Sequence, residues 1–308
     1  MTIAVYLCIY AGAFLFLAGC LWRIRDYARL PFHLRWELYP VPHEEPKHAE
    51  HGGSYFEAGE WWLRPQAMHH RSEWLAMLRE IVLLKGVWEF NRPLWLPSFL
   101  FHFGLYLSFV TVGIAVLAAL PGIAATGGLV ATLAAAMIVA CRWSGWAGTI
   151  FVLIGALFLL ERRISDPTLR NYTKAGDIFN LGFFLAAFGF LGAGFLGRTA
   201  SIEGVVRGAL QFDRSVQIAP VAGIGVVLAS ALAAYIPFTH MSHFIAKYFT
   251  WHSVRWDDRR NARNGGVERR VAASLRYRPT WAAAHIGADG RRSWAEIATS
   301  NPAEEERK

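Results

Sequence analysis

The chain has 308 residues, of which 54% are hydrophobic, and a formal net charge of +8. Several apolar runs reach membrane-spanning length, which excludes a soluble enzyme and predicts an all-α, polytopic membrane protein. In a soluble chain, the positive charge could point to nucleic acid. Here it reads as basic loops on one side of a bilayer, and no nucleic-acid partner is expected.

The first apolar run, 3–22, lacks a basic leader and an A-x-A site, so it reads as a retained helix rather than a signal peptide. Arg23, Arg25 and Arg29 follow at once, opening a polar, aromatic cytoplasmic insert over 23–94. Prolines and glycines in ELYPVPHEEPKHAEHGGSYFEAGEWW forbid a regular helix there. From Ser72 to Phe90 the spacing of Trp74, Leu75, Leu78, Ile81, Val82 and Val87 predicts an amphipathic helix. Trp61, Trp62 and Trp74 favour a surface lying on the membrane or on a partner.

A four-helix membrane core is expected over 95–255. Its first helix is 95–120, ended by Pro121 and Gly122. The next apolar stretch, 123–160, exceeds one simple span and is expected to break at CRWSGW (141–146). One span over 142–160 is preferred, with 123–141 as an outer extension and Arg142 snorkelling at the outer interface. Further spans are expected over 177–196 and from about 216 into IPFTHMSHF. A basic tail, 256–308, has low helical order expected around Asn264, Gly265 and Gly266.

Sidedness follows from lysine and arginine counts. The 23–94 segment carries ten, the 161–176 loop four and residues 244–308 thirteen, against Arg198, Arg207, Arg214 and the boundary Arg142 elsewhere. The basic side reads as cytoplasmic, giving five helices with an outer N-terminus and an inner C-terminus.

Three histidines carry the chemistry. His102 lies in LFHFGLYL on the second helix, and His240 and His243 lie three residues apart near the end of the fifth. A histidine in a membrane helix needs a job or a polar partner. His102 is seven residues from Trp95, about 10 Å of helical rise. His243 is near the same end of an antiparallel helix, so the two fall at matched depth. One imidazole on each face of a porphyrin, supplied by two facing helices, would hold one haem with no open iron position, suited to one-electron transfer. The plainer alternative is that each histidine merely bonds a backbone carbonyl. His240 suits a hydrogen bond at the haem edge or a propionate better than ligation. Arg92, Lys247 and Arg255 are further propionate candidates. A metal site among His43, His48 and His51 has no specified geometry. Cys8, Cys20 and Cys141 lie in apolar runs without CxxC spacing, which argues against disulfides or an iron–sulfur cluster of the chain's own.

At these residues the chain resembles the membrane cytochrome b family typified by the gamma subunit of respiratory nitrate reductase. LFHFGLYL is similar to that family's first haem-ligand segment. Pro237-Phe238-Thr239 followed by His243 is similar to its P-F-[S/T]-x-x-x-H motif. SGWAGTIFVLIGALFLLERRISDP (144–167) and TKAGD (173–177) match in order and spacing. The resemblance covers about 95–255. It implies five helices and a cytoplasmic-side haem b on His102 and His243, in a bacterial inner membrane. The family's second, distal haem would use positions held here by Val112 and Gly225, neither of which can bind iron, so one haem is expected. The insert, with ELYPVPHE and GGSYFE, resembles the branch whose cytoplasmic partner is a heterodisulfide-reductase-like iron–sulfur protein.

The resulting expectation is a haem b subunit of a respiratory complex, passing electrons between menaquinone or ubiquinone and a cytoplasmic iron–sulfur subunit. The alternative is a haem-free anchor that docks a soluble redox subunit. An ion or proton carrier fits less well, because Glu161, Asp177 and Asp213 fall at or beyond helix ends.

Overall fold

The structure is a computed structural model. It describes residues 1–30, 41–44, 54–65, 68–120, 128–196, 201–252, 258–280 and 286–301. Among these there is no β-strand, and five helices are long and apolar enough to cross a membrane. The chain divides into two compact units: Met1–Leu21 with Met77–Ser242, and Trp22–Ala76 with His243–Lys308.

The first unit is a helical bundle. Helix α1 (Thr2–Arg29) begins in it and continues past Leu21, carrying the arginines expected to follow the span. The amphipathic segment folds as two helices, α2 (His70–Leu83) and α3 (Lys85–Phe90). The break is at Leu84, whose φ of 50° is left-handed. Trp95 Nε1 donates to the Leu83 carbonyl at 2.8 Å and the Tyr106 hydroxyl to the Ile81 carbonyl at 3.0 Å. These side chains satisfy carbonyls that the last turn of α2 cannot pair internally. Trp74, Leu75, Leu78 and Ile81 remain exposed along α2, as expected for a helix lying on an apolar surface.

Helix α4 (Arg92–Ala118) starts at Asn91, whose side chain accepts from the Leu94 N–H at 3.2 Å. Helix α5 (Leu129–Ser165) runs 37 residues without interruption. The break expected at 141–146 does not occur. That stretch holds no proline, and its one glycine, Gly145, sits where a Cβ would lie 3.2 Å from Thr111 and 3.3 Å from Ile202. Neighbouring helices thus support the turn that glycine would otherwise weaken. At about 1.5 Å per residue α5 is about 55 Å long, well beyond a hydrocarbon core of about 30 Å.

A short helix α6 (Pro167–Tyr172), capped by Asp166, links α5 to α7 (Ala175–Leu196). Then come α8 (Ile202–Gln211) and α9 (Pro220–Tyr235). Small residues let the spans touch. A Cβ on Gly155 would sit 2.5 Å from the Phe101 amide nitrogen, and one on Gly104 would sit 2.7 Å from that of Val152. In lipid, where apolar burial gives little drive, such backbone approach is a main source of helix association. One core joins α4, α5, α7 and α9 through Phe101, Val152, Phe184, Phe188 and Leu232. A second joins α1, α8 and α9 through Val5, Tyr6, Val205, Ala209 and Ala222.

The second unit gathers part of the insert and the tail. His43 Nε2 and Asp258 Oδ2 form a buried ion-pair contact. Glu44 beside it accepts from the Ser54 hydroxyl at 2.7 Å. Tyr55, Phe56, Trp61 and Trp62 stack edge to face or tilted, with ring centroids 4.4–6.1 Å apart. In the tail, Asn264 is left-handed and Gly265 caps α11 (Gly266–Ser274), so helix resumes directly after the expected turn. Helix α12 (Trp294–Thr299) opens on a Ser293/Glu296 capping box.

Candidate functional site

His102 lies on α4, next to Phe101, the residue that α4 buries against Phe184. Its ring is half-buried, and its Nδ1 contacts the Ser98 carbonyl at 2.7 Å, one turn back along the helix. A carbonyl can only accept, so Nδ1 carries the proton and a neutral ring keeps its lone pair on Nε2. Metal-ligating histidines are commonly held this way, with the other ring nitrogen donating to a carbonyl that fixes tautomer and orientation.

The end of α9 differs from expectation. After Tyr235 the chain makes a 3-10 turn at Ile236–Phe238, and Thr239 is extended with φ −120° and ψ 178°. A second 3-10 turn, His240–Ser242, precedes a short helix α10 (His243–Lys247) and a π turn at Tyr248–His252. His240 and His243 therefore lie beyond the end of α9 rather than on it. Pro237 has no N–H to continue the ladder. Thr239 takes over locally, accepting from the Met241 N–H at 3.2 Å and donating to the Ile236 carbonyl at 3.1 Å. The first unit runs to Ser242 and so includes His240, and His243, exposed, opens the later stretch of the second unit.

His240 reaches α7. Its Nε2 lies 3.4 Å from Asn180 Nδ2 and 3.8 Å from an oxygen of Asp177. Asn180 is buried and accepts from the Tyr235 hydroxyl at 3.0 Å. Asp177 also pairs with Arg163 at 3.5 Å. A polar chain thus runs from Tyr235 through Asn180 to His240, Asp177 and Arg163. Placing Asp177 at a helix end was correct, but the tertiary fold turns that end toward a histidine.

No protein-family model matches the chain, and neither does any curated protein or solved structure.

A second polar cluster lies where α8 crosses α4 and α5. Arg142 does more than snorkel: its Nε and Nη2 donate to one oxygen of Glu203 at 3.0 and 2.8 Å. Beside them the Thr111 and Ser144 hydroxyls meet at 2.7 Å, and Cys141 Sγ lies 3.5 Å from the Thr111 carbonyl. Glu203 was passed over in the sequence. Its only local signal is its place in the first turn of a strongly amphipathic helix, four residues before Arg207.

Of the other candidates, Arg92 lies over the Trp88 ring at 4.7 Å. Lys247 ends α10. Arg255, His48 and His51 lie outside the described residues. His43 pairs with Asp258. Among the described residues no three or more His, Cys, Asp or Glu side chains gather as metal ligands.

Proposed function

We propose that this chain is the haem b membrane subunit of a respiratory complex, with His102 and His243 as axial ligands of one haem. The observation that carries the reading is the Nδ1 bond of His102 to the Ser98 carbonyl, the kind of orienting contact that haem- and metal-ligating histidines commonly make. When bound, haem supplies a one-electron carrier. The chain's part is to orient the ligands and to exclude water through the apolar packing around Phe101 and Phe184.

The count of one is supported by the two positions where the related family carries a second ligand pair. Val112 is 51% exposed on α4. Gly225 backs onto α7, where a Cβ would lie 2.6 Å from the Leu191 amide nitrogen. The lysines and arginines of the 23–94 and 244–308 segments favour a cytoplasmic position for the insert and tail, in a bacterial inner membrane. They would meet a heterodisulfide-reductase-like iron–sulfur protein there, while menaquinone or ubiquinone exchanges electrons within the bilayer. His240, held by Asn180 and near Asp177, is read as a group tuning the haem rather than binding it. A reduced-minus-oxidised spectrum of the purified chain tests the reading. Bands of low-spin haem b are expected, and their absence would leave the haem-free anchor in its place.

A further inference from the structure

Glu203 is 6% exposed, and its carboxylate is used unevenly. One oxygen takes both bonds from Arg142, while the other, Oε2, is buried with no hydrogen-bond partner. One turn later on α8, the buried Nε of Arg207 is a donor that likewise has no partner. Glutamate and arginine four residues apart on a helix ordinarily pair with each other. Here Glu203 turns to Arg142 instead, and each residue keeps an unanswered polar atom. Leaving such atoms buried is costly, and a group that donates to one and accepts from the other would answer both.

We infer that Glu203 and Arg207 form a binding site for the hydroxyl of a lipid-soluble hydroquinone. The hydroxyl donates to Glu203 Oε2 and accepts from Arg207 Nε. The ligand must be a donor, because a carboxylate oxygen cannot accommodate a bare quinone carbonyl. It must also be lipid-soluble, because the neighbouring surface of α5, including Val139 and Trp143, is exposed and apolar. Choosing hydroquinone among hydroxyl donors rests on the electron-transfer reading above. The placement suits it: α8 meets α4 at Thr111, nine residues from His102, a rise of about 13.5 Å along the helix.

Menadiol and its dimethyl ether discriminate the donor. Binding is measured by calorimetry on the full chain in nanodiscs free of ethanolamine lipids. Dithionite keeps any haem ferrous, so that no electron moves. Menadiol is expected to bind about tenfold or more tightly than the ether. In Glu203→Gln the carbonyl oxygen stays with Arg142 and an NH2 replaces Oε2, so the preference for menadiol is expected to vanish. Arg207→Gln is expected to weaken both ligands and keep the preference. Equal binding of the two ligands by the unaltered chain, or no saturable binding because water fills the gap, would overturn the site even if the variants fail to fold. So would a Glu203→Gln chain that keeps the preference. Displacement of menadiol by added phosphatidylethanolamine at ordinary membrane content would assign the oxygen to a lipid ammonium and equally overturn it. Haem content is assayed on the same preparation. Haem without menadiol binding removes this site alone, and menadiol binding without haem removes the electron-transfer reading alone.

Discussion

His43 and Asp258, 215 positions apart in the chain, meet as a buried pair whose side chains are 1% and 3% exposed. The contact ties the insert between the first two spans to the tail after the last, which is why these polar segments form one unit. His43→Ala removes one partner of a buried pair, a change that costs about 3–5 kcal/mol. Hydrogen exchange should quicken in both 54–65 and 258–280. Quickening confined to one of the two segments would show that they fold independently.

Removing 40–70 therefore does more than delete a docking surface. The truncated chain is expected to retain an inserted bundle, to lose order in the tail, and to lose its cytoplasmic partner on purification. Wild-type co-purification would refute the docking role assigned to the insert.

The ligand assignment separates three variants. His102→Ala and His243→Ala are each expected to abolish six-coordinate low-spin haem. His240→Ala is expected to keep that spectrum and shift only the midpoint potential, since it removes a contact to Asn180 and Asp177 rather than an iron ligand. Optical and paramagnetic-resonance spectra read both outcomes. Low-spin haem lost in His240→Ala and kept in His243→Ala would reverse the assignment.

Haem stoichiometry is expected to be one per chain by pyridine haemochrome against protein mass. A ratio near two would mean that a ligand pair exists away from Val112 and Gly225.

The seam between α4 and α5 makes a stability prediction. Gly155→Ala drives a methyl to 2.5 Å from the Phe101 backbone nitrogen and is expected to destabilise by about 1–3 kcal/mol. Gly182→Ala, with nothing within 4 Å of the added carbon, is expected to be neutral or slightly stabilising. Thermal unfolding in detergent compares them. Equal melting temperatures would mean that the helices part without cost.

The amino-acid sequence by itself determined the five spans, because twenty or so apolar residues in a row have few alternatives in water or lipid. It also singled out His102, His240 and His243, because polar side chains stand out against such runs. Local chemistry misled at two places. CRWSGW looked like a break, yet Thr111 and Ile202 pack on Gly145 and α5 runs through. His240 and His243 looked like the end of the fifth span, yet Pro237 and Thr239 end its ladder before either is reached. Only the tertiary structure decided what the isolated charges do. Glu203 answers Arg142 from 61 residues away, and Asp258 answers His43 from 215. Periodicity reports which face of a helix is apolar. It carries no information on which distant residue a buried charge will meet, because that pairing is set by how helices cross and by the cost of leaving the charge alone.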